Sequence, residues 1–326
     1  MDTKPVIHTR DLTRYYGSTV GVEGLTLEIS AGEIFGFLGP NGAGKTTTIR
    51  LLLDLIRPTR GGSLLFGCPT KDPSVRSRVG YLPGELTLDG RMTGGQTLVL
   101  LSALNEGNEA PRSRRKELCD RLGLSQADLR RRVREYSRGM KQKLGLVSAF
   151  QHAPDLLILD EPTTGLDPLV REVVFQLMAE VRGKGATVFH SSHVLSEVDR
   201  TCDRVGVLRS GRLVKLLTVE EARQASARFM VVDFKGDPPL EEIRNAGLDV
   251  EKVEGRRVVV KVTGELEPLL GLLARHPVQH LSFPEPNLEE AFNMFYRGSS
   301  DRALAHTSEL PESPSLPPPS TKEGEE

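Results

Sequence analysis

The stretch Gly39-Pro-Asn-Gly-Ala-Gly-Lys-Thr-Thr47 constrains this chain more than any other. It fits the spacing G-x-x-x-x-G-K-[ST], a loop that cradles phosphate when a strand feeds it and a helix leaves it. Both flanks are present. The apolar run 34–38 reads as a buried strand. Behind the loop, Ile49, Leu52, Leu53 and Ile56 recur at i, i+3, i+4 and i+7, the stripe of a helix that Pro58 ends. Gly39, Gly42 and Gly44, with Pro40, Asn41 and Ala43 between them, free the backbone to turn its N–H groups inward as an anion nest. A helix starting near Lys45 adds its positive end. Lys45 is placed to reach outer phosphates, and the hydroxyl of Thr46, with Thr47 beside it, to ligate Mg²⁺. The loop reads as a nucleotide site.

Further along, Leu156-Leu-Ile-Leu-Asp160-Glu161-Pro162 places two acids after four apolar residues. That is a strand buried on both faces, with acids at the carboxyl end where ligands bind in open α/β sheets. Asp160 there suits Mg²⁺ held through its water shell. Glu161 is placed to polarise an attacking water, which hydrolysis needs and simple binding does not. Another strand, 186–190, runs into Ser191-Ser-His193. A histidine at that end of the same sheet either hydrogen-bonds a terminal phosphate or serves structure alone. Ser137 is a good N-cap for a helix carrying Met140, Leu144 and Val147 at helical spacing, and Gly139 admits a ligand close to its first turn. Gly165-Leu-Asp167-Pro168 opens a helix through Leu177, with Asp167 either capping it or facing a neighbouring subunit. Near the start, 6–12 and 24–29 read as strands. Between them Tyr16, just before Gly17, either stacks on a base or packs on the core.

The remaining segments set the organisation. Residues 60–67 read as a return strand, and 76–82 as a strand leading into Pro83-Gly84-Glu85. From Thr93 to about Arg134, inside an insertion of about 86–150, the segments around Leu98, Leu101 and Leu104, then 116–122 and 126–133, read as helices. Arg114, Arg115, Arg130, Arg131, Arg132 and Arg134 are interleaved with acids there. They read as a solvated helix face rather than a surface for nucleic acid or anionic lipid. Helix 194–201 and a hairpin over 205–216, turning at Ser210-Gly211, close a unit of about 1–220. A small α+β unit follows over 227–297, with strands 229–234, 249–253 and 258–262 and helices 240–245 and 266–275. Its last helix, 287–295, carries Leu288, Ala291, Phe292 and Phe295 on one face. Residues 298–326, with Pro311, Pro314 and Pro317 to Pro319, read as a disordered tail. A net charge of −1 over 326 residues gives no basic field for nucleic acid. The three scattered cysteines suit a reducing cytoplasm, and the start shows no secretory signal. No segment nears the ~20 apolar residues that span a bilayer, so a membrane role requires another chain.

In order and spacing, the phosphate loop, Ser137-Arg-Gly139, Leu156 to Glu161, Gly165 to Asp167 and His193 resemble an ATP-binding-cassette (ABC) ATPase over about residues 5–217. Tyr136-Ser-Arg-Gly-Met-Lys-Gln-Lys143 and Glu285-Pro-Asn-Leu-Glu-Glu-Ala-Phe292 look like the ATP-binding subunits of ABC-2 type exporters of drugs, lipids or polysaccharides. The resemblance implies an α/β fold: a P-loop cassette with a RecA-like core, an antiparallel β subdomain and the helical insertion. It implies ATP and Mg²⁺, with Tyr16 on adenine, Lys45 and Thr46 on phosphate and metal, and Asp160 supporting the metal. Glu161 would be the catalytic carboxylate and His193 would contact the γ-phosphate. Ser137 and Gly139 would touch the γ-phosphate of ATP held by a second copy, and Asp167 would communicate between the two sites. The other implied partner is a separate transmembrane permease at the inner face of the cell membrane; no nucleic acid is expected.

Two departures stand out. Arg138 and Met140 replace a glycine and a glutamine of the family's signature. Gly84 stands where a glutamine normally follows Tyr-Leu-Pro, so Glu85 either substitutes for it or the contact is absent. The alternative function is a soluble ABC-type ATPase acting on nucleic acid or ribosomes. Such relatives usually carry tandem cassettes or a long coiled-coil insertion, and neither is found here. A binding module without turnover fits poorly with Glu161.

Overall fold

The structure, a computed structural model, describes residues 5–104, 112–225, 228–262 and 266–283. Strands β1 (Ile7–Tyr16) and β2 (Thr19–Ile29) form an antiparallel hairpin, so Tyr16 lies at the end of a strand rather than in a long loop. Strand β3 (Ile34–Leu38), wholly buried, enters a second sheet and delivers the glycine loop. Helix α1 (Lys45–Leu52) follows and stops well short of Pro58. Asp54 turns left-handed at φ 56°, and the N–H of Leu55 bonds back to the Arg50 carbonyl at 2.9 Å, which closes the helix although the apolar pattern continues to Ile56. Strands β4 (Arg60–Leu65) and β5 (Cys68–Pro69) return to the first sheet, whose order is β2-β1-β4-β5. A 3-10 turn over Pro73–Arg78 takes up the front of the strand expected at 76–82, leaving β6 as Val79–Leu82.

The insertion holds α2 (Gly94–Ala103), α3 (Arg112–Arg121) and α4 (Gln126–Arg130). Thr93 and Ser125 cap α2 and α4 with reciprocal bonds to Gln96 and Asp128. Helix α4 ends earlier than the 126–133 pattern because Arg131 is extended and Val133–Glu135 forms a 3-10 turn. Ser137 then caps α5 (Arg138–Phe150), its hydroxyl accepting the Met140 N–H at 3.2 Å. The arginines do not all lie on a solvated face. Arg114 donates twice to the Phe150 carbonyl (3.1 and 3.2 Å) and Arg115 to Gln151 Oε1 (3.0 Å). Gln151 Nε2 in turn donates to the Leu98 carbonyl at 3.2 Å. Cations thus close the carbonyl end of α5 and bind the insertion to it, a placement the helix dipole favours.

The second sheet is completed by β7 (Leu156–Asp160), α6 (Pro168–Gly183, running past Leu177), β8 (Thr187–Ser192), α7 (Leu195–Thr201), β9 (Arg204–Arg209) and β10 (Arg212–Thr218). Its order is β10-β9-β3-β8-β7-β6, with β10 antiparallel and the others parallel. Ser191 lies in register with Phe37 on one side and Asp160 on the other. Alternation sorts two cores. Leu157, Leu159 and Val188 face the cluster that includes Leu144, Val147 and Val174; Leu156, Ile158, Phe35, Phe37 and Phe189 face the one containing Ile49 and the first sheet's apolar side. Burial on both faces explains why β3 and β7 read as unbroken apolar runs. The Phe189 ring centroid sits 5.8 Å from Phe35 and 5.3 Å from Phe37.

After α8 (Val219–Ala225) comes a third sheet built from β11 (Arg228–Phe234), α9 (Leu240–Asn245), β12 (Asp249–Glu254), β13 (Arg257–Val262), α10 (Glu267–Leu273) and β14 (Val278–Ser282). The antiparallel order β12-β13-β11-β14 is a β-α-β-β-α-β split arrangement. Met230, Val232, Phe234, Val258 and Val260 form its core with Ile243, Leu269 and Leu272 from the helices. Strand β14 had no sequence signal of its own, since Gln279 and His280 interrupt its apolar pattern. The helix expected at 287–295, the motif 285–292 and the tail 298–326 lie outside the described residues. Among the described residues no helix is long and apolar enough to cross a membrane.

The three-phenylalanine contact gives a stability test. Phe189→Ala should cost roughly 3–5 kcal/mol, the range for removing a large buried ring. Denaturant unfolding of the two proteins, followed by circular dichroism, measures it.

Candidate functional site

The carboxyl ends of β3, β6, β7 and β8 converge on one place, and the glycine loop opens there. Gly39 N–H is held by the Ser192 carbonyl at 3.3 Å, which pins the loop to β8. Gly44 has φ 106°, and a Cβ there would lie 2.3 Å from the Gly21 carbonyl oxygen, so only glycine fits. Among the described residues no side chain caps the start of α1. Its first N–H groups and its positive end are therefore directed at the loop. Lys45, only 5 % exposed, donates from Nζ to the carbonyls of Gly39 (2.7 Å) and Pro40 (3.2 Å) and lies 3.6 Å from Glu161 Oε1. Burial lowers the pKa of its ammonium, while Glu161 and Asp160 act to keep it charged.

Asp160 is 1 % exposed. Thr46 Oγ1 donates to its Oδ2 at 2.7 Å and Ser191 Oγ to its Oδ1 at 2.5 Å. The same Ser191 oxygen accepts the Glu161 N–H at 3.0 Å. Glu161 itself has φ 50°, a left-handed conformation that costs a non-glycine residue about 1–3 kcal/mol. Its carboxylate is held at both oxygens: Thr164 Oγ1 donates to Oε2 at 3.2 Å, and His193 Nδ1 lies 3.2 Å from Oε1. Lys45, Thr46, Asp160, Glu161 and His193 therefore form one continuous polar network.

Tyr16 stands apart from the core, 43 % exposed, with the Arg14 guanidinium 4.9 Å from its ring centroid. A Cβ on Gly21 would meet both Tyr16 Cε2 and Thr47 Cγ2, so the ring stands beside the loop's helix. Gly139 and Asp167 lie by Gly165 instead, with Ser137 just before Gly139 as the cap of α5. A Cβ on Gly139 would lie 3.0 Å from the Gly165 carbonyl oxygen, and Asp167 Oδ1 accepts the Val170 N–H at 3.0 Å as the cap of α6. At Gly84 a Cβ would lie 3.1 Å from Asp160 Oδ2; Glu85 is exposed. The loop after β6 thus comes close to the aspartate with backbone, where a side chain would be crowded.

Three members of the site escaped sequence reasoning. Ser191 and Thr164 are small hydroxyls whose partners only the sheet register and a turn bring near. Gln142, buried on α5, donates from Nε2 to the carbonyls of Glu161 (3.2 Å) and Pro162 (3.0 Å). It lies opposite the stripe of Met140, Leu144 and Val147. The available signal was a second stripe, Leu146 and Ala149, on its own side of the helix.

The profile of the family described as ABC transporter matches residues 22–164. The chain is 40% identical over 245 residues to the uncharacterized ABC transporter ATP-binding protein all4389 of Nostoc sp., covering 72% of this chain and 73% of that one. It is 39% identical over 259 residues to the daunorubicin/doxorubicin resistance ATP-binding protein DrrA of Streptomyces peucetius (77% and 78% covered). It is 33% identical over 294 residues to the Nod factor export ATP-binding protein I of Cupriavidus metallidurans (88% and 96% covered). A solved structure of an ATP binding subunit of an ABC transporter superposes with a TM-score of 0.61 at 31% identity, covering 67% of this chain and 92% of that one.

Next to Ser191, β8 buries His190, whose Nε2 lies 3.0 Å from Cys202 Sγ. Burial pushes the imidazole pKa down to about 4. Because the unfolded chain protonates this group first, it binds more protons than the folded chain between about pH 6.5 and 4, and stability falls as pH drops through that window. The loss attributable to His190 is up to about 3 kcal/mol. His190→Gln should flatten the decline without abolishing it, because burial depresses His152 in the same direction. Urea midpoints at pH 7 and pH 4.5 for both proteins check this.

Proposed function

Since this chain belongs to the ABC transporter family, we propose that it is the ATP-binding and ATP-hydrolysing subunit that powers the separate transmembrane permease of an exporter. The observation that carries the reading is the continuous network from the glycine loop through Thr46 and Asp160 to Glu161 and His193. Export is supported by relatives whose names speak of drug resistance and Nod factor export. The names of the relatives above speak of transport, drug resistance and export and none speaks of nucleic acid or ribosomes, so the alternative ATPase reading is not favoured.

ATP phosphates fit the nest of residues 39–47 and the uncapped start of α1. Lys45 exchanges its bonds to the Gly39 and Pro40 carbonyls for a charge-assisted bond to the outer phosphates. The Thr46 hydroxyl and the Asp160 carboxylate converge as hard oxygen donors, the set Mg²⁺ takes beside phosphate oxygens. Held between Thr46 and Asp160, Mg²⁺ would supply neutralisation of charge on the transferring phosphoryl group. Glu161 accepts a proton from the attacking water, and His193 keeps the glutamate's Oε1 aimed while reaching toward the γ-phosphate. Tyr16, exposed beside the loop, stacks on adenine.

Ser137 and Gly139 sit at the tip of α5 with its positive end outward, and serve the γ-phosphate of a second copy in an ATP-sandwich dimer. Asp167, beside them, lies at the passage between the two sites. Residues 1–220 act as the cassette, about 86–150 as the face toward the permease, 227–297 as an accessory module and 298–326 as a tail. The assembly works at the inner face of the cell membrane.

Two substitutions test the reading. Glu161→Gln should keep ATP binding, lower hydrolysis by about 10²–10⁴-fold and accumulate an ATP-bound dimer on size-exclusion chromatography; near-normal turnover would refute the assignment. Lys45→Ala loses a charged hydrogen bond of about 1.5–3 kcal/mol, so titration calorimetry should show ATP binding weakened roughly 10- to 100-fold.

A further inference from the structure

Gln142 is a buried amide for which the hydrolytic reading has no use. Its two Nε2 hydrogens go to two successive carbonyls, those of Glu161 and Pro162. On the other side of the same residue, the Glu161 N–H is held by Ser191 Oγ. The backbone of Glu161 is therefore gripped at both ends, by β8 through Ser191 and by α5 through Gln142. Between the two grips it takes φ 50°, a conformation that persists only where the surroundings fix it. Gly139 abuts the Gly165 carbonyl, so the first turns of α5 rest along the chain that follows Glu161.

We propose that Gln142 is a positioning residue: it makes the conformation of Glu161, and with it the aim of the carboxylate, depend on where the start of α5 sits. This rests on the sandwich reading given above. When Ser137 is drawn to a triphosphate held by a second copy, the movement of α5 passes through the Gln142 amide to the Glu161 carbonyl of its own chain. ATP captured at one site then sets the hydrolytic geometry at the other. That is a coupling between two sites through a named contact, not through distance alone. A purely structural Gln142, satisfying two buried carbonyls, would affect stability and dimer formation but would not act selectively on turnover.

The test uses the purified full-length chain. Gln142→Met keeps the length of the side chain and removes both donors. It should lower kcat about 10- to 100-fold, the cost of a small misplacement of a reacting group, with the ATP Kd unchanged within about two-fold. In a Glu161→Gln background the same substitution should leave accumulation of the ATP-bound dimer intact. Gln142→Asn stays uncharged and polar but carries its donors one methylene short of the two carbonyls; it should lower kcat in the same direction, and it decides the matter if the methionine variant does not fold. An unchanged kcat in a folded variant overturns the inference, and so does loss of the dimer in the double variant. The two readings fail separately. A Glu161→Gln protein that hydrolyses normally removes the role of Glu161 itself. An inert Glu161→Gln beside a fully active Gln142→Met removes only the link through Gln142.

Discussion

A single carboxylate, that of Asp160, decides the shape of the site. It is almost wholly buried, and an unpaired charge in that position would cost several kcal/mol. Two hydroxyls relieve it, Thr46 from the start of α1 and Ser191 from β8, each donating to a different oxygen. The bonds fasten three separate stretches of chain at one point: the phosphate loop, the end of β7 and the end of β8. Shifting any one of them would expose the carboxylate to an unsatisfied interior. The strained backbone of Glu161 follows from the same arrangement, because Ser191 holds its N–H with the oxygen whose hydrogen goes to Asp160.

The parts of this architecture that were legible in the sequence are those whose causes are local. The glycine loop announces itself because a nest needs small residues at fixed positions. Strand β7 does so because burial on both faces forbids polar interruptions until Asp160. Ser137 as a cap follows from its place just before a helical stripe. What stayed hidden depends on contacts between distant segments. Helix α1 ends at Leu52 through the turn at Asp54, although Leu53 and Ile56 prolong the apolar pattern. Arg114 and Arg115 look like solvent-facing cations until the end of α5 is brought to them. Ser191 and Gln142 are ordinary polar residues in sequence, and only the register of β8 with β7 and the second buried side of α5 give them partners.

The departures from the family pattern also take a physical form. Gly84 lies so near Asp160 that even a Cβ would be crowded, and Glu85 beside it is exposed. Arg138, exposed at the start of α5, adds a cation to a helix end that is already positive and has no acid in its first turn. Such a charge is unfavourable for the helix by a few tenths of a kcal/mol or more, and favourable for an anion brought against it.

Helix α5 has 13 residues, and at 1.5 Å per residue it is a rod about 20 Å long. Ser137 caps one end; Arg114, through the Phe150 carbonyl, and Arg115, through Gln151, secure the insertion to the other. The helices α2 and α3 and the serine tip are thus joined through the two ends of one helix. A load on the insertion's outer surface therefore enters α5 at the end opposite the serine tip, through bonds made at the carbonyl end of the rod.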